Sequence, residues 1–173
     1  MKNAASVIRL LESRDVPQIA EAFAKLGWDK PQSQYERYLS EQQMDIRAVY
    51  VAFVNQQFAG YLTICWVSSY VPFQEKSIPE IVDFNVLPEF RRQCIGTQLM
   101  DRAESEIARV SNVAGIGVGM TPDYGAAQRM YVLRGYVPDG RGLHYRGEQL
   151  RYGEQLKVDD SLGLYFTKRL GQV

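Results

Sequence analysis

Two cysteines and a single histidine are all that this chain of 173 residues offers as thiolate and imidazole ligands for a metal. A structural zinc site takes four such groups in a recognisable spacing, so no metal is expected. Cys65 lies in an apolar, strand-like run and Cys94 in a polar stretch, so a disulfide framework is not expected and both thiols read as free. Nor is there an excess of charge: twenty basic residues balance twenty acidic ones. That removes the electrostatic footprint of a general binder of nucleic acid or anionic membrane, and any anion must be recognised locally. No apolar run approaches the roughly 20 residues needed to span a bilayer. The Met1–Ser6 start lacks a basic segment followed by an apolar one, so the expected location is cytoplasmic. No linker or repeat interrupts the chain, and 46% of it is hydrophobic. A single domain over residues 1–173 is the expectation.

What is present is a succession of periodic segments. Val7–Glu12 reads as a strand. Asp15 can cap a helix whose apolar positions Val16, Ile19, Phe23 and Leu26 recur at helical spacing until Gly27. Ser33-Gln-Tyr-Glu36 has the spacing of a capping box, followed by the stripe Tyr35, Tyr38 and Leu39. Ile46–Val54 and Phe58–Val67 are β-rich runs joined by Asn55-Gln-Gln57, an antiparallel hairpin. Ser68–Pro79 reads as a loop, and Glu80–Leu87 as a strand ended by Pro88. Ile95, Leu99, Ala103 and Ile107 share one helix face, with Met100 beside them. Ala114–Met120 alternates glycine with Ile116, Val118 and Met120, a strand with three bare positions on one face that something must approach closely. Thr121-Pro-Asp has a helix start's chemistry, with Gly135 as the stop. The turn-rich remainder ends in a strand, Leu162–Lys168. This order, β-αα-βββ-α-β-α-ββ, predicts an α+β sheet flanked by helices.

One stretch is chemically conspicuous. Between Val86-Leu-Pro88 and the third helix lies Arg91-Arg-Gln-Cys-Ile-Gly-Thr97, with two cations where the positive end of a helix dipole is about to begin. Cations are unfavourable there unless an anion binds. Amides around Gln93–Thr97 could form a concavity, Gly96 would let a ligand approach the backbone, and Arg91 and Arg92 would add charge-assisted hydrogen bonds suited to a pyrophosphate. A solvated basic turn before a surface helix is the alternative. There is no Gly-x-x-x-x-Gly-Lys-Ser/Thr loop, and Gly115-Ile-Gly-Val-Gly119 lacks the dinucleotide-binding register. Nucleotide hydrolysis and hydride transfer therefore lose support.

Arg91-Arg-Gln-Cys-Ile-Gly96 resembles the Arg/Gln-x-x-Gly-x-Gly/Ala motif of the GNAT superfamily of acyl-CoA-dependent N-acyltransferases. Tyr124-Gly-Ala-Ala-Gln-Arg-Met-Tyr-Val-Leu-Arg-Gly-Tyr136 is similar to that family's Asn-x-x-Ala-x-x-x-Tyr-x-x-x-Gly-Phe/Tyr pattern, and the element order agrees over nearly the whole chain. Two positions depart from the pattern: Cys94 replaces the first motif glycine, and Tyr124 stands where asparagine is usual. The resemblance implies a single mixed, mostly antiparallel sheet of about seven strands and about four helices, the fourth and fifth strands splaying around the arm of the cosubstrate acetyl-CoA. It implies an N-acetyltransferase acting on a primary amine of a small molecule, as a monomer or homodimer. A catalytically silent acyl-CoA-binding module and a protein-directed acetyltransferase are the alternatives.

The same resemblance places the cosubstrate on Phe84, Asn85 and Val86 of the fourth strand, on Arg91, Arg92, Gln93, Cys94, Ile95, Gly96 and Thr97, and on Tyr124, Ala127 and Tyr131 of the late helix. Tyr131 matches the family's general acid, which protonates the leaving thiolate; otherwise it is a core aromatic. Glu80, eleven residues before Arg91, matches the catalytic glutamate of the histone-acetylating branch. Asp83 on the opposite strand face, His144 in a glycine-flanked turn, and a water chain are the other candidates for the base. Trp28, Tyr35, Tyr70, Phe73 and Tyr152 would line the acceptor wall or simply pack. Asp139, Asp159 and Asp160 would attract a basic acceptor or serve turns.

Overall fold

A computed structural model describes residues 6–171; the start at Met1–Ser6, read above as lacking a leader, lies almost wholly outside them. The described chain forms eight strands and five α-helices, arranged in two compact units. The first holds residues 6–66 and Ile81–Glu106; the second holds Val67–Glu80 and the chain from Ile107 onward.

In the first unit the strands β1 (Ser6–Leu10), β2 (Arg47–Val54), β3 (Gln57–Cys65) and β4 (Glu80–Val86) are neighbours in that order. β1–β2 and β2–β3 are antiparallel. The turn between β2 and β3 is Asn55-Gln56, both left-handed with φ of 48° and 66°, the conformation a two-residue hairpin turn needs. β2 is buried along nearly its whole length, on both faces, which is why it reads as a continuous apolar run rather than an alternation. Helices α1 (Val16–Lys25) and α2 (Gln32–Gln43) bring Ile19, Phe23, Tyr35 and Tyr38 onto Val49, Val51 and Tyr61. Rings dominate this core: Tyr35 and Tyr61 meet edge to face at 5.6 Å, and Phe23 meets Tyr61 likewise at 5.8 Å.

Two expected caps are built differently. Asp15 does occupy the position before α1, but its carboxylate turns to Arg9, with bonds of 2.6 and 2.7 Å, and to the Glu12 amide. The capping box forms there, between Glu12 and Asp15, and not at Ser33–Glu36: α2 begins at Gln32 after Pro31, so Ser33 is already inside the helix. A proline immediately before the helix supplies a fixed φ in place of a side-chain cap.

The second unit carries β5 (Val113–Gly119), β8 (Leu162–Arg169), β6 (Val137–Tyr145) and the two-residue β7 (Glu148–Gln149), neighbours in that order. β5–β8, β8–β6 and β6–β7 are antiparallel. The expected loop at Ser68–Pro79 contains a single helical turn, α3 (Val71–Gln74), which accounts for the helix beyond the expected four. Helix α4 (Ile95–Ile107), which belongs to the first unit as far as Glu106, has its stripe Ile95, Leu99, Met100, Ala103 and Ile107 buried throughout. Helix α5 (Gly125–Leu133) follows a 3-10 turn over Pro122–Tyr124, so the helix start at Thr121 becomes a tight turn first. Gly135, with φ of 88°, ends it as expected. Among the described residues no helix is long and apolar enough to cross a membrane.

Candidate active site

The strand that should carry the chemistry is irregular. Asp83, in the middle of β4, has φ of 51°, a left-handed conformation rare for residues other than glycine. Its side chain explains how the strain is held. Asp83 accepts hydrogen bonds from Lys30 Nζ at 2.6 Å, Tyr61 at 2.5 Å, Tyr38 at 2.9 Å, Gln34 at 2.9 Å and Asn85 at 2.9 Å. The Lys30 ammonium also lies over the faces of Phe23 and Tyr61. Burial pushes the Asp83 carboxyl up, but the Lys30 charge and the bonds from Lys30, Tyr61 and Tyr38 outweigh it and leave it below its ordinary value. Such a carboxylate is a fixed counter-ion, and it drops out as a base. Nothing in the sequence pattern announced this network, because its members come from α1–α2, β3 and β4.

Just beyond, β4 passes close to β3. A Cβ on Gly60 would stand 2.5 Å from the Asn85 carbonyl oxygen, so glycine lets the Asn85–Val86 backbone approach. The Val86 carbonyl accepts Arg91 Nε at 3.1 Å, which ties the expected cosubstrate loop to the end of its strand. In that loop Arg92 and Cys94 both have left-handed φ, 61° and 64°. Such alternations turn successive amides toward one side as an anion nest. The first helical hydrogen bond of α4 is Gln98 N–H to the Cys94 carbonyl, so the amides of Ile95, Gly96 and Thr97 precede the ladder. Arg91, Arg92, Gln93, Cys94 and Thr97 are exposed. The loop thus fits a pyrophosphate in donors, charge and access. The value of φ at Cys94 also explains why the family's pattern has glycine there. Gly96 also has a packing reason: a Cβ on it would lie 3.2 Å from the Phe84 ring and 3.6 Å from Val86. It lets the first turn of α4 come close to β4.

In the second unit the three bare positions of β5 are covered by rings. A Cβ on Gly115 would stand 2.3 Å from the Phe73 ring, one on Gly117 3.1 Å from Tyr165, and one on Gly119 2.5 Å from Tyr124. Gly117 and Tyr165 are directly opposed across β5 and β8. Tyr124, where asparagine was expected, packs its ring on this strand. Tyr131 is buried on α5, 6.1 Å from the Tyr136 ring. Burial, then the neighbouring Tyr124, pushes its hydroxyl above the ordinary phenol range. Ala127 lies on the same helix.

Glu80, only 6% exposed, opens β4. Its Oε2 accepts the Ser68 hydroxyl at 2.5 Å, and its Oε1 lies 3.6 Å from where a Gly117 Cβ would be. Ser68 was not expected; a loop serine twelve residues upstream carries no signal. Burial, then the charges of Glu80 and Asp139, pushes the Tyr165 hydroxyl up. Tyr165 stacks on Tyr70 at 3.6 Å, and Tyr70 donates to Asp139 at 2.7 Å and meets His144 Nε2 at 3.3 Å. His144, expected in a glycine-flanked turn, is instead buried on β6. Among the expected acceptor aromatics, Tyr35, Tyr70 and Phe73 are core residues, Trp28 packs on Phe23 at 5.6 Å, and Tyr152 is fully exposed. Asp139 and Asp159 accept backbone amides of Arg141 and Ser161, the turn chemistry anticipated for them.

The model of the acetyltransferase (GNAT) family matches residues 15–136. A protein of Archaeoglobus fulgidus described as an uncharacterized N-acetyltransferase is 34% identical over 88 residues, 50% of this chain and 58% of that relative, so the likeness spans little more than half its length. Among solved structures, yncA of Salmonella typhimurium, solved with its cofactor acetyl-CoA, has a TM-score of 0.69 at 18% identity, over 98% of this chain and 96% of that one. A ribosomal-protein-alanine N-acetyltransferase of Brucella melitensis has a TM-score of 0.69 at 17% identity, over 95% and 99%. Both structural likenesses are of fold.

Proposed function

The chain belongs to the acetyltransferase (GNAT) family, and we propose from this that it transfers an acetyl group from acetyl-CoA to a primary amine of a small molecule. The observation that carries the reading is the loop Arg91–Thr97, exposed, cationic and left-handed at Arg92 and Cys94, running into the first turn of α4. Those features suit the pyrophosphate of a CoA ester.

In the reaction, the amine nitrogen attacks the thioester carbonyl and a C–N bond forms while the carbonyl oxygen gains charge. An N–H of the Phe84–Val86 segment is assigned to that oxyanion. The C–S bond breaks as the carbonyl re-forms, the thiolate takes the proton of Tyr131, and the proton that the newly bonded nitrogen sheds returns through water to the Tyr131 phenolate. Glu80 takes the proton that the ammonium form of the acceptor must lose, directly or through water. Retention of a tyrosine at position 131, where the family resemblance puts the general acid, supports chemistry over a silent CoA-binding module.

Thiol release from acetyl-CoA, measured over a panel of small amines and peptides against a control without acceptor, tests this. Release with small amines is the expected result. Release with peptides alone would make the enzyme protein-directed, and CoA binding without release to any acceptor would make it a silent module.

A further inference from the structure

Part of β6 leaves its ladder and is pinned where it does so. Pro138 pairs with Phe166 of β8 and Leu143 with Leu164, so Asp139, Gly140, Arg141 and Gly142 stand against the single residue Tyr165. Gly140 and Gly142 take left-handed φ of 85° and 74°, which lets the chain loop out and rejoin the sheet. Gly140, Arg141 and Gly142 are exposed, yet their backbone is held. The Arg141 amide donates to Asp139 Oδ1 at 2.9 Å, the Arg141 carbonyl accepts Gln149 Nε2 at 2.7 Å, and His144 Nδ1 donates to the Gly142 carbonyl at 3.1 Å. Asp139 is fixed in turn, since its Oδ2 accepts the Tyr70 hydroxyl at 2.7 Å and Tyr70 stacks on Tyr165.

Both main-chain groups of Arg141 are thus bonded, whereas its guanidinium makes no hydrogen bond or ion pair among the described residues. Asp139 is turned to Tyr70 and to the Arg141 amide, not to the guanidinium. A bulge of this kind re-aims a side chain, and a guanidinium fork matches the paired oxygens of a carboxylate or phosphate. The loop belongs to the unit that holds Glu80. A Cβ on Gly117 would stand 3.1 Å from the Tyr165 ring and 3.6 Å from Glu80 Oε1, so Tyr165 borders Glu80 across the bare β5 backbone and carries the frame of the loop through Tyr70. We propose that Arg141 selects the acceptor by binding an oxyanion group, carboxylate or phosphate, that the acceptor carries besides its amine. The proposal rests on acetyl transfer to a small amine. The substrate class is then an amine with an anionic far end, the half-buried Tyr165 ring lying between Glu80 and the Arg141 loop. An arginine that only kept the surface solvated would not discriminate between acceptors.

The experiment compares matched acceptors in steady state with acetyl-CoA: glycine, β-alanine and γ-aminobutyrate, each against its amide, and O-phosphoethanolamine against ethanolamine. The wild type should prefer the anionic member of at least one pair by about 30-fold in kcat/KM, the worth of a charge-assisted pair; the pair concerned says whether carboxylate or phosphate is read. Arg141→Gln should remove most of that preference, the loss appearing in KM for the anionic acceptor and not in kcat. Arg141→Lys, which keeps the charge without the fork, should retain part of it, and Arg141→Glu should invert it. No preference in the wild type, or a preference that Arg141→Gln keeps, would overturn the role of Arg141 while transfer to an amine stands. If no amine releases thiol, the Arg141 Nε–H resonance of isotope-labelled, CoA-loaded protein separates the two failures. A shift with γ-aminobutyrate or O-phosphoethanolamine but not with their neutral counterparts leaves the oxyanion site standing and removes the transfer reading alone; no shift with either removes both.

Discussion

Asp83 and Glu80 sit three residues apart on β4, and two carboxylates so near in sequence have different surroundings. Asp83 is saturated: five side chains donate to it, one of them cationic, and its carboxyl is held below its ordinary value. A group that has its proton equilibrium settled so firmly stabilises a strand irregularity and contributes nothing to proton transfer. Glu80 is buried with its Oε2 on the Ser68 hydroxyl. The lesson is that burial by itself does not mark a catalytic acid or base; the kind and number of donors decide which way burial works.

That contrast can be broken by substitution. Glu80→Gln should give the largest effect, a fall in kcat/KM of about 10³-fold in steady-state assays, with the melting temperature little changed. Asp83→Asn should do the reverse. It leaves Lys30 without its counter-ion and should cost about 3 kcal/mol in denaturant unfolding, while kcat in the folded enzyme stays within a few-fold. The acid dependence of stability sharpens the point. The folded Asp83 carboxyl titrates below the unfolded value of about 3.9, so its contribution is present at neutral pH and is lost as pH falls below about 4. Unfolding curves of Asp83→Asn should lack that loss.

Tyr131→Phe comes next, with kcat expected to fall about 10²-fold and acetyl-CoA affinity by calorimetry within a few-fold, since the ring stays and only the proton donor goes. Smallest is Cys94→Gly. Relieving a left-handed φ of 64° should raise stability by up to about 1 kcal/mol, partly offset by the greater freedom of glycine in the unfolded chain. In the wild type the exposed Cys94 should be alkylated ahead of the half-buried Cys65, and CoA should slow only the former; mass spectrometry of labelled peptides reads both.

Much of the fold was legible because the segments are periodic. The α4 stripe, the β2–β3 hairpin and the stops at Gly27 and Gly135 each follow from spacing that a single element can satisfy alone. The cationic character of the loop Arg91–Thr97 was legible for the same reason, since it is local. The cap at Ser33 was misplaced because Pro31 starts α2 without one, and the Asp15 cap because a buried carboxylate gains more from Arg9 than from a lone amide. The glycines of β5 announced a close approach, but Phe73, Tyr165 and Tyr124 make it from three separate stretches of chain.

The sequence by itself determined the helices, the main strands, the absence of net charge and the position of the cationic loop, because these depend on residues near one another along the chain. Only tertiary structure decided that Asp83 is a counter-ion, that Ser68 holds Glu80, and that His144 is buried. Each depends on which distant groups donate a proton to which oxygen or nitrogen, and hydrogen bonds leave no periodicity in a sequence.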